Sequence, residues 1–337
     1  GVLSHNSLQQ EFTTSEYLGG LPGDPDPDSG GTRLITSNVQ TMKDGVFGEL
    51  EPRNQYWLGR QHNGSKFEPL WNVSGHYDYG VATMAKVISA PQQVAVPGRR
   101  TLVSWIGGAK FCNPVPAEKI DKFTNIVGRE LTSTAVGDAG NSIASQSLGR
   151  DLSLSPNYEL LQAFVPELKV LRKPSTHTFY SVGVDDDTTD ETTAVVDSNV
   201  PGALQLELVA SFDWGIAAAA GRTNLSFGVS ALGGAANLTV SCDGSVCQGS
   251  VDRTGGPLMP LGQTHTRVHA IIDGTITEAI WNNRTAMVVY VPPTSATATA
   301  VALFGVGSSS GIKATLETWA LTPANNRKPF VPPHDRT

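Results

Sequence analysis

Past position 200 the chain alternates apolar and polar residues. Leu204, Leu206 and Leu208 fall on one face of an extended segment, with Gln205 and Glu207 on the other. The same period of two recurs over residues 225–232, 268–272, 287–291, 300–306 and 314–321. Strands at this spacing with glycine-rich turns predict a β-sandwich over residues 201–325. Earlier, shorter β-type runs at 33–37, 55–59, 81–88, 101–106, 143–148 and 152–154 are separated by Gly, Pro and Asn. That rhythm suits antiparallel blades rather than crossover helices. Residues 158–172 have a more helical spacing, and the polar, acidic stretch from Val184 onward predicts a linker over 173–200. Residues 22–31 read as a surface loop: Asp24, Asp26 and Asp28 lack the regular positions, Gly and Glu of a calcium hand. Residues 326–337 read as a tail.

The chain has 337 residues, 39% hydrophobic and 16% charged, a globular composition with room for two domains. A formal net charge of −7 argues against nucleic acid, whose binding rests on Lys and Arg neutralising phosphates. No run of about 18 apolar residues could span a bilayer, and Gly1 opens no signal peptide, so a mature soluble product is expected. Five sequons begin at Asn63, Asn72, Asn224, Asn237 and Asn283, and with the cysteines they point to a secreted glycoprotein. Cys242 and Cys247 bracket a tight Asp-Gly-Ser-Val turn that a disulfide could close, which leaves Cys112 without a partner in this chain. His62, His76 and His177 have no metal-ligand spacing, and no metal or cofactor is implied.

Several segments resemble glycoside hydrolase family 32, the invertases and other β-fructofuranosidases. Tyr56-Trp-Leu-Gly59 is similar to its YxxG strand, and Asp78-Tyr79-Gly80 with Lys86 to its D-Y-G turn and the strand ending in Lys. The segment from Gly98 to Trp105 resembles GRRxLxxW, and that from Gln146 to Leu154 resembles QSxPRxLxL with Gly149 in place of proline. Leu160-Leu161-Gln162, Pro166-Glu167-Leu168 and Leu171-Arg172 match the propeller-closing segment, and residues 271–283 look like the DxSxxExFxNxG strand pair. The resemblance implies an all-β fold: later blades of a five-bladed β-propeller over residues 1–172, then a C-terminal β-sandwich.

It also implies chemistry. Retaining glycosidases need two carboxyl groups about 5–5.5 Å apart, one attacking the anomeric carbon and one protonating the leaving oxygen. The family's NDPNG and RDP motifs are not found, and Arg150-Asp151-Leu belongs to the later PRxLxL strand. The nucleophile is therefore expected in an N-terminal portion or companion chain that completes the propeller. Glu16 is the candidate general acid, because the segment from Ser15 to Pro22 loosely resembles WECPDFFPL; the alternative is an ordinary surface glutamate. Asp78 and Tyr79 are candidate substrate contacts, with turn formation as the alternative. Glu278 and Asp273 are expected at the surface or in strand pairing. Two functions follow: the C-terminal part of a secreted β-fructofuranosidase acting on sucrose or fructans, or a non-catalytic extracellular relative that binds carbohydrate or serves a structural role. The altered acid motif, and Thr83 where the family commonly has an aromatic, favour the second.

Overall fold

The computed structural model describes residues 9–12, 33–43, 46–47, 53–62, 66–80, 82–89, 99–106, 145–173, 178–184, 192–197, 204–219, 221, 224–243, 246–252, 254–258, 264–291, 293, 300–307 and 311–322. It is all-β, with four antiparallel sheets among these residues.

The first sheet holds β1 (Gln9–Phe12), β2 (Arg33–Lys43), β3 (Val46–Phe47), β4 (Arg53–His62) and β5 (Lys66–Asp78). The second holds β6 (Ala82–Ser89), β7 (Arg100–Ile106), β8 (Ser145–Gln146), β9 (Arg150–Leu154) and β10 (Leu160–Phe164). Each is built on a meander, β1-β2-β4-β5 and β6-β7-β9-β10, so consecutive strands lie side by side. Leu34, Leu58 and Tyr77 from one sheet meet Ala85, Val87, Leu102, Leu152, Leu154 and Leu160 from the other in a single buried cluster.

The remaining strands are β11 (Thr178–Val184), β12 (Thr192–Asp197), β13 (Gln205–Asp213), β14 (Asn224–Ala231), β15 (Ala236–Asp243), β16 (Val246–Val251), β17 (Thr254–Leu258), β18 (His265–Asp273), β19 (Ile276–Trp281), β20 (Thr285–Tyr290), β21 (Val301–Gly307) and β22 (Ile312–Ala320). They form two six-stranded sheets, ordered β11-β22-β13-β18-β19-β20 and β12-β21-β14-β15-β16-β17. One core joins them: Leu206, Leu208, Phe212 and Trp281 of the first sheet meet Phe227, Val229, Leu238 and Leu303 of the second. A disulfide between Cys242 and Cys247 links opposed residues of the β15–β16 hairpin at that core.

Three expectations need correction. The segment 173–200 is not a bare linker, because β11 and β12 lie within it and pair with β22 and β21. The helical reading of 158–172 fails. Residues Leu160–Phe164 are a strand and Pro166–Leu171 a single 3-10 helix, whose junction holds Leu160, Phe164, Leu168 and Leu171 at a spacing that imitates an α-helix. Glu207 is not on a polar face: it is 2% exposed, for a reason given below. The tail 326–337 lies outside the described residues.

Candidate functional site

Glu16, the expected acid, lies outside the described residues, as do Cys112 and Asn63; of Asn72 only the backbone, in β5, is described. The best-defined polar site is instead at the end of β5. Asp78 closes that strand and is completely buried. Its Oδ1 accepts the Gly80 N–H at 2.8 Å, the tight turn that D-Y-G requires, and the Val288 N–H at 3.2 Å. Its Oδ2 accepts Arg150 Nη2 at 2.8 Å.

Arg150 opens β9 and is also fully buried. The same Nη2 stands 3.3 Å from Glu278 Oε2, and Glu278 Oε1 accepts the Leu148 N–H at 2.7 Å. Arg150 Nη1 donates to the Tyr77 carbonyl at 3.3 Å, and Gln162 Nε2 donates to that carbonyl at 3.1 Å. Only Nε of the guanidinium has no hydrogen-bond partner.

Glu278 was expected at the surface or in strand pairing; it is paired, opposite Ile271 and Val288, but it is not at the surface, being 3% exposed. The physical reason is that β19 is covered on both faces. Thr277, Ala279 and Trp281 face the core between the two six-stranded sheets, while Ile276, Glu278 and Ile280 face the first two sheets. Ile280, Ile271 and Ala286 there meet Phe164, Leu148, Leu168 and Leu171, and Val288 and Ile276 meet Ala82 and Ile106. Asp273, by contrast, is exposed and takes a hydrogen bond from Gln205 across the strand pair.

Asp78 and Tyr79 were candidate substrate contacts, with turn formation as the alternative; both shape the turn and take part in this seam. The Tyr79 N–H donates to the Ala286 carbonyl at 2.9 Å, and its ring covers Gly256 of β17 so closely that a Cβ there would stand 2.6 Å from a ring carbon. At Gly80 a Cβ would come within 1.9 Å of the Val288 carbonyl oxygen, so backbone meets backbone where the turn enters the six-stranded sheet. His76 lies against the Tyr79 ring at 4.9 Å between centroids.

Two further ionic contacts cross the seam. Arg172 grips Glu207 with two hydrogen bonds of 2.7 Å, His269 Nε2 lies 2.7 Å from the same carboxylate, and the Arg172 guanidinium stacks 3.6 Å over Trp319. This is why Glu207 is buried. Arg284 holds Glu159 at 2.6 Å beside the Gln162 N–H to Asn283 carbonyl bond.

Burial dominates the protonation of the central cluster. It pushes Glu278 up to about 7, and it raises Asp78 too, against the pull of Arg150. Asp78 accepts three N–H donors and sits nearer the cation, so it is the member of the pair that keeps the charge. Burial also disfavours charge on Arg150, but Asp78 and Glu278 outweigh it and hold the guanidinium protonated. At Glu207 the balance reverses: Arg172 and His269 overcome burial and bring the carboxyl down to about 2.

No protein-family model matches the chain, and no curated protein matches it in sequence. Solved structures do match. A β-fructofuranosidase from Aspergillus kawachii is 16% identical with a TM-score of 0.62, over 95% of this chain and 59% of that one. A fructosyltransferase from A. japonicus is 15% identical at 0.60, over 90% and 55%, and a sucrose-6-phosphate hydrolase from Lactobacillus gasseri is 15% identical at 0.55, over 86% and 52%. The chain shares a fold with glycoside hydrolase family 32. It spans a little over half the length of these structures. The segments whose sequence resembles the family lie on successive elements here: the D-Y-G turn follows β5, the residues up to Trp105 form β7, those around Arg150 form β9, and residues 271–283 form the β18–β19 hairpin. Three of them converge on one cluster, through Asp78, Arg150 and Glu278. That convergence was not foreseen from sequence. Its signal was present all the same: Glu278 stands in register with Ile276 and Ile280, and Arg150 with Leu152 and Leu154, and a charge in the apolar register of a strand must find a partner.

Proposed function

We propose that the chain is the C-terminal part of a secreted β-fructofuranosidase-like glycoside hydrolase that acts on sucrose or fructans with retention of configuration. The observation that carries this reading is the fold shared with fructofuranosidases and fructosyltransferases over most of the chain. On this reading the first two sheets are later blades of a five-bladed propeller, and the paired six-stranded sheets are the β-sandwich that follows. Glu16 protonates the leaving oxygen. The attacking aspartate comes from an N-terminal portion or companion chain, about 5–5.5 Å from Glu16 across the propeller funnel. No cofactor is required. Secretion accords with the disulfide and with the placement of the sequons, since Asn224 and Asn283 are exposed and Asn237 is half-buried.

A second reading, a non-catalytic extracellular relative, gains from one observation: Asp78 and Tyr79 serve the seam, so their presence speaks for fold rather than for chemistry. The test is turnover of sucrose and of a fructan by the intact protein and by its Glu16→Gln variant. The enzyme reading expects turnover in the parent, a fall of about a hundredfold or more in the variant, and an unchanged unfolding profile. Equal turnover in both removes Glu16 from the mechanism, and none in either supports the relative.

A further inference from the structure

We infer that Asp78 and Glu278 hold one proton between them across Arg150, and that losing this proton loosens the seam between the first two sheets and the six-stranded sheet that faces them. The geometry supplies one cation for two carboxyl groups. Arg150 Nη2 reaches Asp78 at 2.8 Å and Glu278 at 3.3 Å, and the three side chains are 0%, 0% and 3% exposed. Among the described residues, the surrounding elements add no second cation. From β5 comes Tyr77, whose phenol burial pushes above its ordinary range and so keeps neutral. From β10 comes Gln162, a neutral amide whose Oε1 stands 3.5 Å from Arg150 Nη1. The residues opposite Glu278 on β18 and β20 are Ile271 and Val288, both apolar. With both carboxyls ionised, the cluster carries an uncompensated negative charge in a region that water does not reach, which is unfavourable. One bound proton restores neutrality. Glu278 is where it resides, because its carboxylate has two N–H partners against three for Asp78 and lies farther from the cation.

The carboxyls lie on opposite sides of the seam, Asp78 with the first sheet and Glu278 with β19. Their mutual repulsion after ionisation therefore acts across it. The sign follows from the raised carboxyl of Glu278. The stabilisation is full below the ordinary value of 4.5 and is lost as pH rises toward and through about 7.

The experiment compares the intact protein with its Glu278→Gln variant from about pH 5 to about pH 8, measuring the unfolding free energy and the hydrogen exchange of the Tyr79 and Gln162 amides. These amides donate across the seam to Ala286 and Asn283. The parent is expected to lose about tenfold in folding constant per pH unit approaching neutrality, with falling protection of both amides. The variant, with a permanently neutral amide, should show a flat profile over this range and exceed the parent at the alkaline end. Parallel profiles overturn the inference. Should the variant fail to fold, difference infrared on the parent labelled at its glutamate carboxyls decides: a protonated-carboxyl band that disappears around neutrality supports the shared proton, and no such band overturns it.

Discussion

Arg150 stays charged at any pH a folded protein meets, so the fate of the central cluster depends on its two acids and on the cation remaining in place. Arg150→Met keeps much of the side chain's bulk while leaving Asp78 and Glu278 facing each other. Removing one partner of a buried ion pair costs about 3–5 kcal/mol, and urea unfolding should show a loss of that size at neutral pH. The loss should shrink in acid, where both carboxyls are protonated. A loss below about 1 kcal/mol, the range of exposed pairs, would mean that the cluster does not carry the seam. At this scale the sequence was partly legible. Asp78, Arg150 and Glu278 each stood in a segment resembling the family, but their encounter links residues 72 and 128 positions apart, and no local pattern encodes it.

Among the elements, β5 with its turn and β19 decide how the halves meet. Gly80 lets the turn approach β20 with backbone against backbone, and Gly80→Ala would place a methyl 1.9 Å from the Val288 carbonyl. We expect Gly80→Ala to lose about 1–3 kcal/mol as the turn is forced outward, with reduced protection of the Val288 amide, which donates to Asp78. Stability equal to the parent would show that the turn has room to move. Most strands were legible because a sheet with one covered face writes its period into the sequence. β19 broke the rule: covered on both faces, it set a glutamate among apolar neighbours, and its alternation suggested a surface that does not exist. β11 and β12 were hidden by the acidic residues between them, and β10 with the 3-10 helix imitated a helix because a short strand and a tight turn together reproduce its spacing.

At the scale of the whole molecule, Glu207 and Glu278, buried carboxyls on the six-stranded sheet that faces the seam, have opposite pH signatures. Glu207 is held down to about 2, so its contribution is present above the ordinary value of 4.5 and is lost as pH falls from there toward 2. Acid unfolding of Glu207→Gln should therefore be less steep over that interval than in the parent, with a lower plateau near neutrality. An unchanged acid limb would show that Arg172 and His269 hold the carboxyl too weakly to matter. Fold, then, is supported by likeness over 86–95% of the chain, whereas the chemistry we propose turns on Glu16 and awaits the turnover test. The measurement that reaches the central claim most directly is proton NMR of sucrose incubated with the intact protein, read before the released fructose equilibrates in solution. A retaining fructofuranosidase should release the β-anomer of fructofuranose first. Early appearance of the α-anomer, or no fructose at all, would contradict the account.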